Sequence, residues 1–92
     1  MEGIIDELYK VIVGRKEAPA EGSYTNYLLS KGSEKICKKV GEEAVEVILA
    51  ATSGKKEQTV EELADLVYHV LVLMVQEGIT PAEVEAALRE RR

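Results

Sequence analysis

Apolar residues recur at helical spacing along almost the whole chain. Ile4, Ile5, Leu8, Val11 and Ile12 fall three and four apart, which predicts a first helix over about Gly3–Lys16. "EAPAEGS" breaks that pattern, with Pro19 and Gly22 as punctuation. A short helical piece, "YTNYLLSK", leads to Gly32. A second long helix is expected to start at Ser33, a good N-cap, with Glu34 in its first turn, and to run to about Ser53 before Gly54. A third starts between Lys56 and Thr59, where Thr59 and Glu62 have capping-box spacing, and stops near Gly78. "TPAE" marks the last helix, with Thr80 as N-cap, Pro81 at the first helical position and Glu83 three after the cap. No segment alternates apolar and polar residues as a half-buried strand would. Short links between long helices imply antiparallel neighbours, so the chain is read as one all-α bundle of four to five helices, residues 1–92 forming a single domain.

The faces of these helices carry more information. On the third, Leu63, Ala64, Leu66, Val67, Tyr68, Val70, Leu71, Leu73, Met74 and Val75 cover most of the circumference, which predicts burial on nearly all sides. Glu62, Asp65 and His69 share the remaining slot, within about 60° of one another. On the second, Ile36, Val40, Ala44, Val47 and Ala51 form the main apolar stripe, and Val45 and Leu49 add a patch opposite it. One protomer of this size cannot cover both faces, and 46% of the residues are hydrophobic, so a homodimer or higher homo-oligomer is expected.

Net charge is −5, which argues against general binding of nucleic acid or anionic membranes. The run Leu66–Val75 is too short to span a bilayer, which takes roughly 20 residues. "MEGIIDELYK" has acidic residues where a secretory signal would be basic, so a cytoplasmic location is expected. Cys37 is alone, which excludes an intrachain disulfide, and is read as a small buried apolar residue.

Buried carboxylates without partners are costly, so the acids on the core helices need a reason. Glu43 and Glu46 are three apart on the second helix, as are Glu62 and Asp65 on the third. Folding the hairpin about Gly54–Lys55 brings both pairs to about the same level. Four mutually repelling carboxylates there point to a hard divalent cation held by oxygen, of which Mg²⁺ fits best. The alternative is a solvated set of glutamates with one salt bridge, such as Lys39 to Glu43. His69 is read first as bonding to Asp65 or to a carbonyl, with a ligand or acid role as the alternative. One His and one Cys do not make a zinc site, and no P-loop motif occurs. Lys31, Lys35, Lys38 and Lys39 precede the acids, either as a basic ledge for phosphate oxygens or as a solvated face.

The segments G-S-Y-T at Gly22–Thr25, K-G at Lys31–Gly32, K-V-G-E-E at Lys39–Glu43 and A-D-L-x-Y-H at Ala64–His69 closely resemble the phosphoribosyl-ATP pyrophosphatase family, within the MazG-like all-α pyrophosphohydrolases. The resemblance implies a MazG-like bundle completed by oligomerisation. It also implies Mg²⁺-dependent hydrolysis of phosphoribosyl-ATP to phosphoribosyl-AMP and pyrophosphate, the second step of L-histidine biosynthesis. Carried over, Glu43, Glu46, Glu62 and Asp65 are metal ligands, Glu42 and Glu46 catalytic acids, and Lys31, Lys35 and Lys39 substrate contacts. A house-cleaning nucleoside triphosphate pyrophosphohydrolase with the same acidic cluster is the alternative enzyme. A non-catalytic helical interaction module is the alternative from another class.

Overall fold

A computed structural model describes residues 3–92. Five helices follow one another: α1 (Ile4–Glu17), α2 (Tyr24–Lys31), α3 (Ser33–Thr52), α4 (Lys56–Glu77) and α5 (Pro81–Arg89). No strand occurs among the described residues, so the all-α expectation holds.

The α3–α4 hairpin is the frame. Ile12 of α1, Leu28 of α2, Ile36 of α3 and Leu71, Val72, Met74 and Val75 of α4 form the buried core around one end of it. The helix boundaries match the sequence expectation closely, but two caps differ. Gly32, not Ser33, caps α3, with a φ of 87° that favours glycine. Ser33 already lies inside the helix, and its hydroxyl donates to the Glu77 carboxylate near the far end of α4. Thr59 does not cap α4 either. The helix has already begun at Lys56, and the Thr59 hydroxyl donates back to the Lys55 carbonyl at 2.7 Å. The capping box at Thr80 and Glu83 forms as predicted. Gly78 closes α4 in the left-handed region at φ 70°, with Ile79 N–H reaching the Met74 carbonyl at 2.8 Å. The Tyr9 hydroxyl then ties α1 to this corner by donating to the Ile79 carbonyl at 2.8 Å.

Two burial expectations are corrected. Cys37 is exposed, because it sits one residue round from the Ile36 stripe and faces away from the core with Lys38. In the single chain α4 is buried only over its second half, at His69, Leu71, Val72, Met74 and Val75. Its first half leaves Val60, Leu63 and Val67 at 58, 44 and 38% exposure, because α1 and α2 pack mainly against the other end. The turn end of the hairpin therefore projects from the core. The radius of gyration of 14.0 Å exceeds the roughly 12 Å expected of a compact domain of this length. Among the described residues no single helix is long and apolar enough to cross a membrane.

Candidate functional site

Glu43 stands midway along α3, and Glu62 and Asp65 stand in the projecting half of α4. The i,i+3 spacing puts Glu62 and Asp65 on one face of α4, and the antiparallel hairpin turns that face towards Glu43. One carboxylate oxygen from each of the three lies within 4.8 Å of the other two. The side chain of Glu43 is 13% exposed, whereas Asp65 opens to solvent. Three hard oxygen donors at that spacing, open on one side to water and substrate, fit a hard divalent cation such as Mg²⁺.

The electrostatics agree. Partial burial, then the Asp65, Glu46, Glu43 and Glu61 charges, push the Glu62 carboxyl above its ordinary 4.5. Raised in the folded chain, this group favours folding most below its unfolded value, and that contribution is lost as pH rises through the folded value. In cation-free buffer the stability deficit of the wild type relative to Glu62→Gln should therefore widen as pH rises from below 4.5 towards neutrality. Paired melts across that range check it, and a constant difference would contradict it.

The remaining sequence candidates fall around this triad. Glu46 is exposed and contributes no oxygen to the three-way cluster, yet it stands close enough to raise Glu62. Lys39 pairs with Glu42 at 3.4 Å and with Glu43 at 3.5 Å, so the salt bridge weighed as an alternative coexists with the acid cluster. Burial works against the Lys39 charge, but Tyr24, Glu42 and Glu43 outweigh it and hold the group above its ordinary 10.5. Lys31 and Lys35 line a shallow concavity with Glu34 and Lys38, and the Lys31 ammonium lies 5.6 Å from the centre of the Tyr27 ring. The basic ledge is thus divided, with Lys39 on the acids and Lys31 and Lys35 together at the α2–α3 corner.

His69 is 5% exposed and both ring nitrogens are engaged. Nδ1–H donates to the Asp65 main-chain carbonyl at 2.7 Å. In that neutral tautomer Nε2 accepts from the Tyr24 hydroxyl at 2.9 Å. No ring lone pair is left for a cation, which supports the carbonyl-bonded reading over a ligand role. Next to this bond, the Thr25 and Tyr68 hydroxyls share a hydrogen bond. Tyr24, Thr25 and Tyr68 were not among the sequence candidates. Ser23 was not recognised as a cap, although it precedes the short helix and accepts from Asn26 N–H at 3.2 Å. The visible signal was two pairs of adjacent hydrogen-bonding residues, Tyr24–Thr25 and Tyr68–His69.

Comparison with known proteins places the chain. The model of the phosphoribosyl-ATP pyrophosphohydrolase family matches residues 5–92. A phosphoribosyl-ATP pyrophosphatase of Bacillus cytotoxicus is 48% identical over 91 residues, covering 99% of this chain and 85% of the relative. The enzyme of that name from Streptococcus thermophilus is 49% identical over 89 residues, covering 97% of this chain and 86% of the relative. One from Saccharolobus solfataricus is 48% identical over 89 residues, covering 97% of this chain and 95% of the relative.

Proposed function

Because the chain belongs to the phosphoribosyl-ATP pyrophosphohydrolase family, we propose that it hydrolyses phosphoribosyl-ATP to phosphoribosyl-AMP and pyrophosphate, in the cytoplasm, as a step of histidine biosynthesis. The reading includes a Mg²⁺ ion held by Glu43, Glu62 and Asp65, and assembly as at least a homodimer. The observation that carries the cation is the convergence of those three carboxylates within 4.8 Å, at the cost of the repulsion felt by Glu62.

When bound, the cation neutralises phosphate oxygens and helps orient the anhydride for in-line displacement. The chain's own groups do the rest. Glu43, Glu62 and Asp65 hold the cation's place. Glu46, exposed beside them, is positioned either to add a fourth oxygen or to take the proton of the attacking water. Glu42, half-exposed and paired with Lys39, is the accessory acid. Water forms the new P–O bond, the α–β anhydride P–O bond breaks, and whichever of the two products is not attacked leaves with the electron pair. Lys31 and Lys35, at the α2–α3 corner, meet phosphate oxygens beyond the metal as mobile point charges. Lys39 joins them by way of its ion pairs.

Pyrophosphate release from phosphoribosyl-ATP with and without Mg²⁺ tests the reading. Turnover that needs the cation supports it. A wild type that prefers ordinary nucleoside triphosphates would favour the house-cleaning alternative, and no hydrolysis with either substrate would favour a non-catalytic module. Substrate choice gives a sharper expectation. The acid cluster can serve any triphosphate, so discrimination falls to groups that meet the additional ribose phosphate. Lys35→Met should lower kcat/KM on phosphoribosyl-ATP by about tenfold to a hundredfold, the worth of a charge-assisted contact, and affect residual ATP hydrolysis less. Equal losses on both substrates would mean that Lys35 meets only the shared triphosphate.

A further inference from the structure

Two consecutive residues of α2 are bonded to two consecutive residues of α4. Tyr24 reaches Nε2 of His69 at 2.9 Å, and Thr25 reaches the Tyr68 hydroxyl. Among the described residues these two bonds are the side-chain hydrogen bonds that join α2 to α4. His69 is aimed at Tyr24 because its other nitrogen is fixed on the Asp65 carbonyl at 2.7 Å, one turn back towards the acid cluster. The rings reinforce the join. Tyr24 stacks on Tyr68 at 6.3 Å and meets His69 edge-on at 5.7 Å. The start of α2 is tied down from the other side as well. Asn26 accepts from Ala20 N–H at 2.8 Å and donates to the Arg15 carbonyl at 2.7 Å.

The latch sits between two groups that a long substrate would have to meet together. On one side is the turn of α4 that carries Asp65. On the other is α2, whose last residue is Lys31. Tyr24 also stands within electrostatic reach of Lys39 and Glu43 on α3.

Resting on the function proposed above, we infer that Tyr24 and His69 are positioning residues, whose bond fixes α2, and with it Lys31, relative to the Glu43–Glu62–Asp65 cluster so that one substrate engages both. Neither side chain is assigned a contact with the reacting phosphate or the cation. The latch should therefore act on substrate binding across the two ends, and not on the chemistry at the cluster.

The test is steady-state kinetics on the full chain, with Mg²⁺ affinity measured separately without substrate. Tyr24→Phe keeps the ring and removes the donor. It should raise KM for phosphoribosyl-ATP about tenfold, with kcat and Mg²⁺ affinity within about twofold of wild type. His69→Phe should raise KM at least as much, and the double variant should be no worse than His69→Phe alone, because both singles remove the Tyr24–His69 bond and His69→Phe also removes the bond to the Asp65 carbonyl. His69→Gln should restore most of the loss, since its amide can donate to the Asp65 carbonyl while its oxygen accepts from Tyr24. An unchanged KM in Tyr24→Phe would overturn the inference. So would a fall in kcat together with Mg²⁺ affinity, or losses that multiply in the double variant. Wild-type turnover in the same assay separates the two levels. Without it the proposed function fails and takes this inference with it. With it, an unaltered Tyr24→Phe overturns the latch alone.

Discussion

Glu62→Gln is expected to cut phosphoribosyl-ATP turnover by roughly a hundredfold to a thousandfold, the scale of losing one preorganised electrostatic group, while making the cation-free protein more stable. Both effects have one origin. Glu62 supplies one of three oxygens within 4.8 Å of each other, and its carboxyl is pushed up by partial burial and then by the charges of Asp65, Glu46, Glu43 and Glu61. An isosteric amide removes the repulsion and one anionic donor together. The wild type should gain stability from Mg²⁺ by mass action, about 2.7 kcal/mol at a hundred times the dissociation constant, and the variant should gain less at the same concentration. Melting curves with chelator and with Mg²⁺, beside turnover, give four numbers with defined signs. A variant that turns over like wild type, or that is less stable without cation yet gains as much from Mg²⁺, would remove the case for a metal at this cluster.

Leu49→Lys is expected to break the assembly and leave a destabilised monomer where the wild type sediments as at least a dimer at micromolar concentration. Val45, Ile48 and Leu49 on α3 are 52, 59 and 55% exposed in the single chain, and Val60, Leu63 and Val67 on α4 are exposed as well. Ile4, Ile5, Leu8, Leu63, Ala64 and Val67 also line an apolar groove of about 310 Å³ between α1 and α4. The chain exposes 6339 Å², against about 5,300 Å² for a typical monomer of this mass. The excess of about 1,000 Å² is close to the ~800 Å² that each partner contributes to a standard interface. A cation placed at the centre of such a patch must be desolvated or keep the chains apart. Sedimentation velocity decides the matter, and a compact wild-type monomer at micromolar concentration would sink the expectation.

Helices were legible because their signals are local. The 3.6-residue periodicity, the box at Thr80–Glu83 and the glycines at 32, 54 and 78 set four boundaries within a residue or two. Ser33 and Thr59 misled because a hydroxyl near a helix start reads as a cap wherever it lies in the first turn. A residue just upstream had already begun each helix, and the freed hydroxyls turned to Glu77 and to the Lys55 carbonyl. The burial of α4 was overestimated because periodicity reports which faces are apolar, not which chain covers them. Glu43, Glu62 and Asp65 could be placed together because hairpin register follows from residue counts. Glu46 could not be separated from them at that level, since a few ångströms at one helical turn depend on rotamers. The latch was not legible, because a bond between residues 24 and 69 depends on how α2 crosses the hairpin.

The acid triad lies on the half of the hairpin that projects beyond the core, between Glu43 at mid-helix and the early turns of α4. In the proposed homodimer, its framework would be the part of the fold most dependent on the neighbouring chain for its rigidity. Catalytic output should then rise more steeply than in proportion to enzyme concentration near the dissociation midpoint. In a cell that makes little of the protein, the abundance of the chain would itself act as a throttle on flux.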